Sequence, residues 1–550
     1  MNALVPLPVL LPLCATGLSL AFGTRLGRFQ RFISVAVLTA VLALSVILMI
    51  AADRQGPLSV HLGDFAPPLG ITLVADRLSG LMLTVSSAVT LCVLVYSLGQ
   101  GMTDRDKETP LAVFHPAYLI LVAGVSCTFL AGDLVNLYVG FEIMLVASFV
   151  LLTLGGTGPR MRAGSTYVII SLFSSMLFLT AIAMTYAATG TANFAQLAER
   201  LPELPIGVQT LIQALLLTVF AIKAAVFPLA AWLPDSYPTA PAPVTAVFAG
   251  LLTKVGVYCM LRTETLLFPG NRIGDLLMAL ALASMVVGIL GAVAQTDLKR
   301  LLSFTLISHI GYMVFGIGLA TREAYGGAIV YVAHHITVQT TLFLVTGLIE
   351  RRGGTTELTR LGGLARAAPM LALLFFVPAM NLAGIPPLSG FIGKLGLMRA
   401  GVADGGGWAW VLVAGSAATS LLTLYVVAKV WNLAFWRAAP PGQAAAGTVL
   451  ESGDDSDDDS DAGPDRIPGT GDEGVGPAPR PAGRAGAATL HGRAVTTTVR
   501  LPRPMTAATA ATIAIGLAFT VFADPLTAFT DRSAVELLQR TPYIQEVLGR

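Results

Sequence analysis

Six ionisable side chains stand in apolar runs where a charge has no ordinary place: Glu142, Lys223, Lys254, His334, His335 and Lys394. A charge at the centre of a membrane helix costs about 2.5–3.5 kcal/mol on insertion scales. Each such group must pair, change protonation or line water. Amines, imidazoles and carboxylates that gain and lose protons as their neighbours change charge are what a proton relay needs. The chemistry they point to is the holding and passing of a proton.

The stretch FAIKAAVFPLAAWLPDSYPTAPAPVTAVFAGLLTK, 220–254, carries two of them. Lys223 lies five residues before Pro228, which must kink or open the helix below it. Snorkelling of Lys223 to an interface is the plainer alternative. Lys254 falls near the middle of the following apolar run, where snorkelling is hard. Glu142, in DLVNLYVGFEIMLVASFVLL, is apolar on both sides. It reads either as half of a structural salt bridge or as a proton-holding partner of Lys223. His334 and His335 are about 100° apart on a helix, so one of them faces a common path. Gln339 follows His335 by one turn, which favours a hydrated channel over a lone core donor. His309, in ISHIGYM, is the weaker histidine and reads equally as structural. Lys394 follows NLAGIPPLSGFIGK, whose Gly384, Pro386, Pro387, Ser389, Gly390 and Gly393 cannot sustain a helix. Non-helical backbone at membrane depth survives only where protein buries it or water lines it. Asp235, in WLPDSYP, is an entry carboxylate or a turn former.

The elements that must position these groups follow from composition. The 550 residues are 55% hydrophobic and 12% charged, with a mean hydropathy of +0.74. A soluble domain carries roughly 25% charged residues. At about 20 apolar residues per span, fourteen spans fit near 3–22, 32–52, 76–99, 111–130, 133–155, 163–188, 207–230, 241–262, 273–293, 300–320, 324–349, 367–399, 407–436 and 504–527. The fold class is an all-α polytopic membrane protein. No basic stretch precedes the first apolar run, so it reads as a span and not a removable signal. Residues 55–75 alternate and are rich in Gly and Pro, which predicts a small extramembrane hairpin. Region 438–503, with ESGDDSDDDSD at 451–461, reads as a disordered cytoplasmic loop. Residues 533–549 have the apolar spacing of a short surface helix.

Short loops on the first-loop side hold 13 Lys and Arg against 7 on the other. The first set is therefore cytoplasmic, and both termini lie outside. Lys223 and Lys394 are 171 positions apart, and Lys254 and Lys429 are 175 apart. An odd number of spans between such pairs would invert the second copy. The four cysteines have no paired spacing. There is no CxxC, HExxH, Walker loop or GxGxxG fingerprint. No metal, cofactor or nucleic-acid site is expected.

These same residues carry a family resemblance. DLVNLYVGFEIML, LPDSYPTAPAPVTAVFAGLLTKVGVY, LLSFTLISHIGYM and GIPPLSGFIGK resemble the antiporter-like subunits shared by Mrp-type multisubunit cation/proton antiporters and the proton-pumping arm of respiratory complex I. The pattern is most similar to the D-type Mrp subunits. The resemblance covers all spans but not the 438–503 insertion. It implies helices 1–3 with the hairpin in 1–110, a first inverted repeat of helices 4–8 in 111–265 and a second of helices 9–13 in 273–437. It also implies broken helices 7 and 12, and places helix 14 with an external amphipathic tail in 504–550. It implies a relay of Glu142, Lys223, Lys254, His335 and Lys394, with protons and a monovalent cation (Na⁺ expected) as cargo. Partner membrane subunits and a bacterial cell membrane follow. Family members commonly carry lysine where this chain has Gln339, which cannot bear the charge, so His335 or water takes a larger part. The alternatives are a pumping subunit of an NADH–quinone oxidoreductase and a structural scaffold.

Overall fold

The computed structural model describes residues 1–22, 29–100, 111–438 and 501–549. The expected acidic loop lies, but for its ends, outside them, as do four of the basic residues counted for orientation. Helices dominate: α1 (Leu7–Phe22), α2 (Phe29–Gln55), α3 (Arg77–Gln100), α4 (Leu111–Leu130), α5 (Leu134–Thr153) and α6 (Gly158–Thr189) come first. Next are α7 (Phe194–Arg200), α8 (Ile206–Ala224), α9 (Trp232–Ser236), α10 (Ala242–Val247), α11 (Thr253–Leu266), α12 (Gly274–Ala294), α13 (Leu298–Leu319) and α14 (Arg322–Gly353). The last are α15 (Leu364–Ala367), α16 (Pro369–Ala383), α17 (Ser389–Asp404), α18 (Gly407–Val430), α19 (Arg503–Val521), α20 (Ala523–Gln539) and α21 (Thr541–Leu548). Among the described residues, 13 helical stretches are long and apolar enough to cross a membrane, counting α10 to α11 as one. The chain is an all-α polytopic membrane protein. The exposed apolar faces of α2, α6 and α18 suit lipid, whereas α11 and α14 are enclosed by protein.

The sequence reads 367–399 as one span; the structure divides it into α16 and α17, each under eighteen residues. Gly384 adopts a positive φ of 84° and ends α16, and the prolines that follow cannot continue the ladder. The seventh span breaks earlier than Pro228. Ala225, at φ 58°, closes α8 one residue after Ala224. The two left-handed residues, 225 and 384, are 159 apart, as are Pro228 and Pro387. Lys223 therefore precedes its break, while Lys394 follows the equivalent one, so the 171-residue spacing of the lysines is not the spacing of the breaks.

A second recurrence concerns the loops. Asp133 bridges Asn193, and Asp297 bridges Glu357, each 164 positions later (133 to 297, 193 to 357). Leu134 N–H donates to Ala192 O at 2.9 Å and Phe194 N–H to Gly132 O at 2.9 Å. Leu298 N–H to Thr356 O at 3.0 Å and Leu358 N–H to Thr296 O at 2.8 Å repeat the pattern. Each Asp also caps its helix, accepting from Asn136 N–H at 2.7 Å or Arg300 N–H at 2.9 Å.

The two clasps sit at opposite ends of the bundle. Strand β1 (Leu58–His61) pairs antiparallel with β2 (Thr72–Ala75), and Thr72 N–H reaches Asp133 at 3.3 Å. Arg77, beginning α3, bonds Asp53 at the end of α2. At the far end of α3, about 36 Å away for its 24 residues, Gln100 O accepts from Arg351. There Lys299 pairs with Glu350 at 2.8 Å. The hairpin and α20–α21 thus share one face; Asp235, Asp297 and Glu350 share the other.

A buried file of ionisable side chains

Each predicted residue can be placed from its helix. Lys223 occupies the last turn of α8, where the exposed carbonyls favour a cation. Its Nζ donates to Ser171 O at 3.4 Å and lies 5.6 Å from the centre of the Phe141 ring. A cavity of about 20 Å³, lined by Tyr167, Ser171, Trp232 and Leu252, adjoins it, room for one water. Glu142, on α5, directly follows Phe141, the residue whose ring lies beside Lys223 Nζ. No direct ion pair joins Glu142 and Lys223 among the described residues. The Glu142 Oε1 atom is enclosed and unpartnered.

Lys254 is fully buried. It stands just past Phe248–Leu252, a π-helical turn between α10 and α11. Its Nζ bonds Ala249 O inside that turn. Such turns release a carbonyl from the regular ladder and recur at functional sites. Gly250 permits the turn to press on α14: a Cβ there would meet Thr340 Oγ1 at 2.1 Å.

α13, α14 and α17 carry the middle of the file. His335 is fully buried, and neither ring nitrogen has a protein partner. Its ring lies 5.1 Å from that of His309. His309 Nδ1 bonds the Tyr331 hydroxyl at 2.5 Å. The Tyr331 ring lies 5.5 Å from that of His334, tilted by 35°, and His334 Nδ1 bonds Ser389 Oγ at 3.0 Å. Tyr312, 5.4 Å from Tyr331, lies under Lys394 Nζ at 5.1 Å. Lys394, on α17, reaches back to Leu382 O, Ala383 O and Ser420 Oγ, each at 3.1 Å. It thereby caps the carbonyl end of α16 across the break.

The structure thus brings His309, His334, His335 and Lys394 into one cluster. Lys223 and Glu142 share neither a ring contact nor a hydrogen bond with that cluster among the described residues. Lys429 joins neither group: its Nζ caps α12 through Val293 O at 2.9 Å and Gln295 O at 2.8 Å. Gln339 donates to Leu302 O at 2.8 Å and keeps Oε1 unpartnered. Asp235 pairs with Arg300 at 3.1 Å and is largely exposed. It lines an open cavity of about 650 Å³ with Gln100, Arg160, Asp297, Lys299 and Glu350. Sequence reasoning missed Tyr312 and Tyr331. The signal was present: Tyr331 precedes His334 and His335 by three and four positions, and Tyr312 follows His309 by three, the spacings of neighbours on a helix. Buried imidazole nitrogens without protein partners call for water. The cluster can therefore hold a proton at several exchanging positions.

A family model described as NADH:quinone oxidoreductase/Mrp antiporter, TM, matches residues 131–423, from the first clasp to α18. The chain belongs to this family. Its relatives include the D-type subunit of the Na(+)/H(+) antiporter of Alkalihalophilus pseudofirmus, 42% identical over 440 residues, 79% of this chain and 87% of that one. Among solved structures, a chain of the Mrp complex from Dietzia sp. DQ12-45-1b aligns with a TM-score of 0.83 at 29% identity over the whole of both chains. A chain of respiratory complex I from Thermus thermophilus aligns at 0.72 and 24% identity, over 97% of this chain and 99% of that one, a likeness of fold. The Mrp-family match covers every member of the buried file and stops before α19 to α21.

Proposed function

We propose that the chain is the D-type, proton-translocating subunit of a multisubunit Na⁺/H⁺ antiporter, working beside other membrane subunits. The observation that carries the reading is the cluster of His335, His309, Tyr331, His334 and Lys394, enclosed by protein and short of protein partners at four imidazole nitrogens. A scaffold would fill such a space with apolar side chains at no loss of stability.

In this reading the proton enters from the cytoplasmic vestibule at Asp235. It is held by the Glu142–Lys223 pair, passes to Lys254 and crosses the imidazoles to Lys394. Lys254 donates through Nζ; His335, with both nitrogens free, accepts at one and releases at the other. The Tyr331 hydroxyl holds His309 in place, and water completes the gaps. The hairpin face, with both termini, is external. Helices 4–8 and 9–13 are inverted copies, an arrangement supported by the 164-residue recurrence of the loop clasps at opposite faces. The similarity to a D-type subunit of a Na(+)/H(+) antiporter supports Na⁺ as the exported cation.

The test is cation-dependent proton flux in vesicles carrying the whole complex, with Na⁺, Li⁺ and K⁺ compared. Glu142→Gln should abolish flux while the complex still assembles. Normal flux in an assembled Glu142→Gln complex would remove the relay and favour a scaffold. The second reading, a pump driven by quinone-linked redox chemistry, rests on the fold shared with complex I. It predicts flux that requires an electron donor and ignores the cation.

A further inference from the structure

Two buried carboxylates, Asp76 and Glu536, lie outside the file and beyond the residues that the family model matches. Glu536, on α20, is 6% exposed. Its Oε2 accepts from Arg77 Nη1, and its Oε1 has no partner. It lines a cavity of about 210 Å³ on the hairpin face, with Arg322 and Gln539 at the rim.

The groups facing it come from five elements. Asp76, just before α3, pairs with Arg262 of α11 at 2.5 Å, and both are nearly enclosed. Arg77 and Arg532 share Asp53 of α2, at 2.9 and 2.7 Å. Tyr258 and Tyr543 flank the Arg262 guanidinium, each 5.4 Å from it. Asp53, Asp76 and Glu536 thus stand against Arg77, Arg262 and Arg532, with Arg322 exposed at the cavity mouth. Two carboxylates placed together are driven apart in proton affinity. Arg262 and Ser79 hold Asp76 below the ordinary value. Burial first, and the Asp76 charge second, raise Glu536 to about 7. Glu536 therefore changes charge where Asp76 does not.

This cluster ends a polar stripe. Lys254, Tyr258 and Arg262 recur at four-residue intervals on α11 and share one side of it. Arg262 lies about 12 Å along the axis from Lys254, and its Nη2 donates to the Tyr258 hydroxyl at 3.2 Å.

We propose that Glu536 is a proton-exchange group on the hairpin face, taking up and releasing a proton at the outer cavity and acting on the Lys254 side of α11 through Asp76 and Arg262. The inference rests on the transport reading given above. In the exchange step the Glu536 O–H bond breaks, the proton passes to cavity water, and the carboxylate left behind strengthens its pairing with Arg77. Uptake reverses the step, and nothing is oxidised or reduced.

The experiment uses the whole complex in vesicles, with the pH of the hairpin-face compartment varied from roughly 6 to 8, around the value of a group titrating near neutrality. Glu536→Gln should lower flux about 10²-fold, the lower range for a lost proton-transfer group, and remove its dependence on that compartment's pH. Glu536→Asp should keep flux with a shifted midpoint. Independently, carbodiimide labelling of Glu536 in the wild-type complex, read by mass spectrometry, should fall as pH rises through neutrality. An active Glu536→Gln complex with an unchanged rate and pH profile overturns the inference, as does labelling that does not vary with pH. Should Glu536→Gln fail to assemble, an unchanged midpoint in Glu536→Asp overturns it. Absence of cation-dependent flux in the wild type would instead overturn the transport reading, and this role with it.

Discussion

Replacing Lys254 with Met separates transport from stability. The Nζ atom makes one hydrogen bond, to Ala249 O in the π-helical turn. A charge-assisted bond of this kind is worth about 1.5–3 kcal/mol. Against it stands the cost of burying an ammonium that pairs with no carboxylate among the described residues, several kcal/mol even after relaxation. Methionine has nearly the same length and fills the space. Lys254→Met should therefore leave stability unchanged or raise it by a few kcal/mol. Flux should fall about 10²-fold, the scale of a missing proton-transfer group. Both follow from one preparation: cation-dependent collapse of a pH gradient in vesicles, normalised to assembled complex, and thermal unfolding of the purified complex. A lower unfolding temperature with full flux per assembled complex would refute the reasoning, because Lys254 would then be a structural residue.

Other substitutions test other links. Tyr331→Phe removes the hydroxyl that bonds His309 Nδ1; assembly should persist while the pH–rate profile shifts. Gly256→Ala puts a Cβ 2.6 Å from Ala224 N, and such overpacking should cost about 1–3 kcal/mol in unfolding measurements. Asp76→Asn leaves the enclosed Arg262 without its ion pair and should destabilise by about 3–5 kcal/mol. The wild-type contribution of Asp76 has a definite sign. Its carboxyl is held below the ordinary value, so the stabilisation is full above about pH 4 and is lost as pH falls through the folded value. Acid unfolding curves of wild type and Asp76→Asn should converge there.

Much of the fold, and the residues of the candidate site, could be picked out because lipid makes charge expensive. Glu142, Lys223, Lys254, His335 and Lys394 stood out against apolar runs, and the Gly/Pro composition of 55–75 announced β1 and β2. What was hidden depends on contacts distant in sequence. Lys429 sits in an apolar run as Lys254 does, yet it caps α12 from across the bundle. The break after α8 was expected at Pro228, whereas Ala225 makes it, because a left-handed alanine carries no mark in the sequence. Tyr312 and Tyr331 drew no notice in the sequence; only the closeness of α13, α14 and α17 turns them into links between imidazoles and Lys394. The buried pairing of Asp76 with Arg262 joins loop and helix nearly two hundred positions apart.

The Asp133 and Asp297 clasps are a matched pair of latches, alike in their backbone bonds and set at opposite ends of the bundle. The molecule therefore contains its own control. The amides of Leu134 and Leu298 donate equivalent backbone bonds, so a change in the ratio of their hydrogen-exchange rates between resting and transporting complex reports which latch yields first. Asp133→Ala and Asp297→Ala each remove the cap of their helix, the first also the acceptor of Thr72 N–H and the second that of the Thr356 hydroxyl, and loosen the two latches one at a time without a probe being attached.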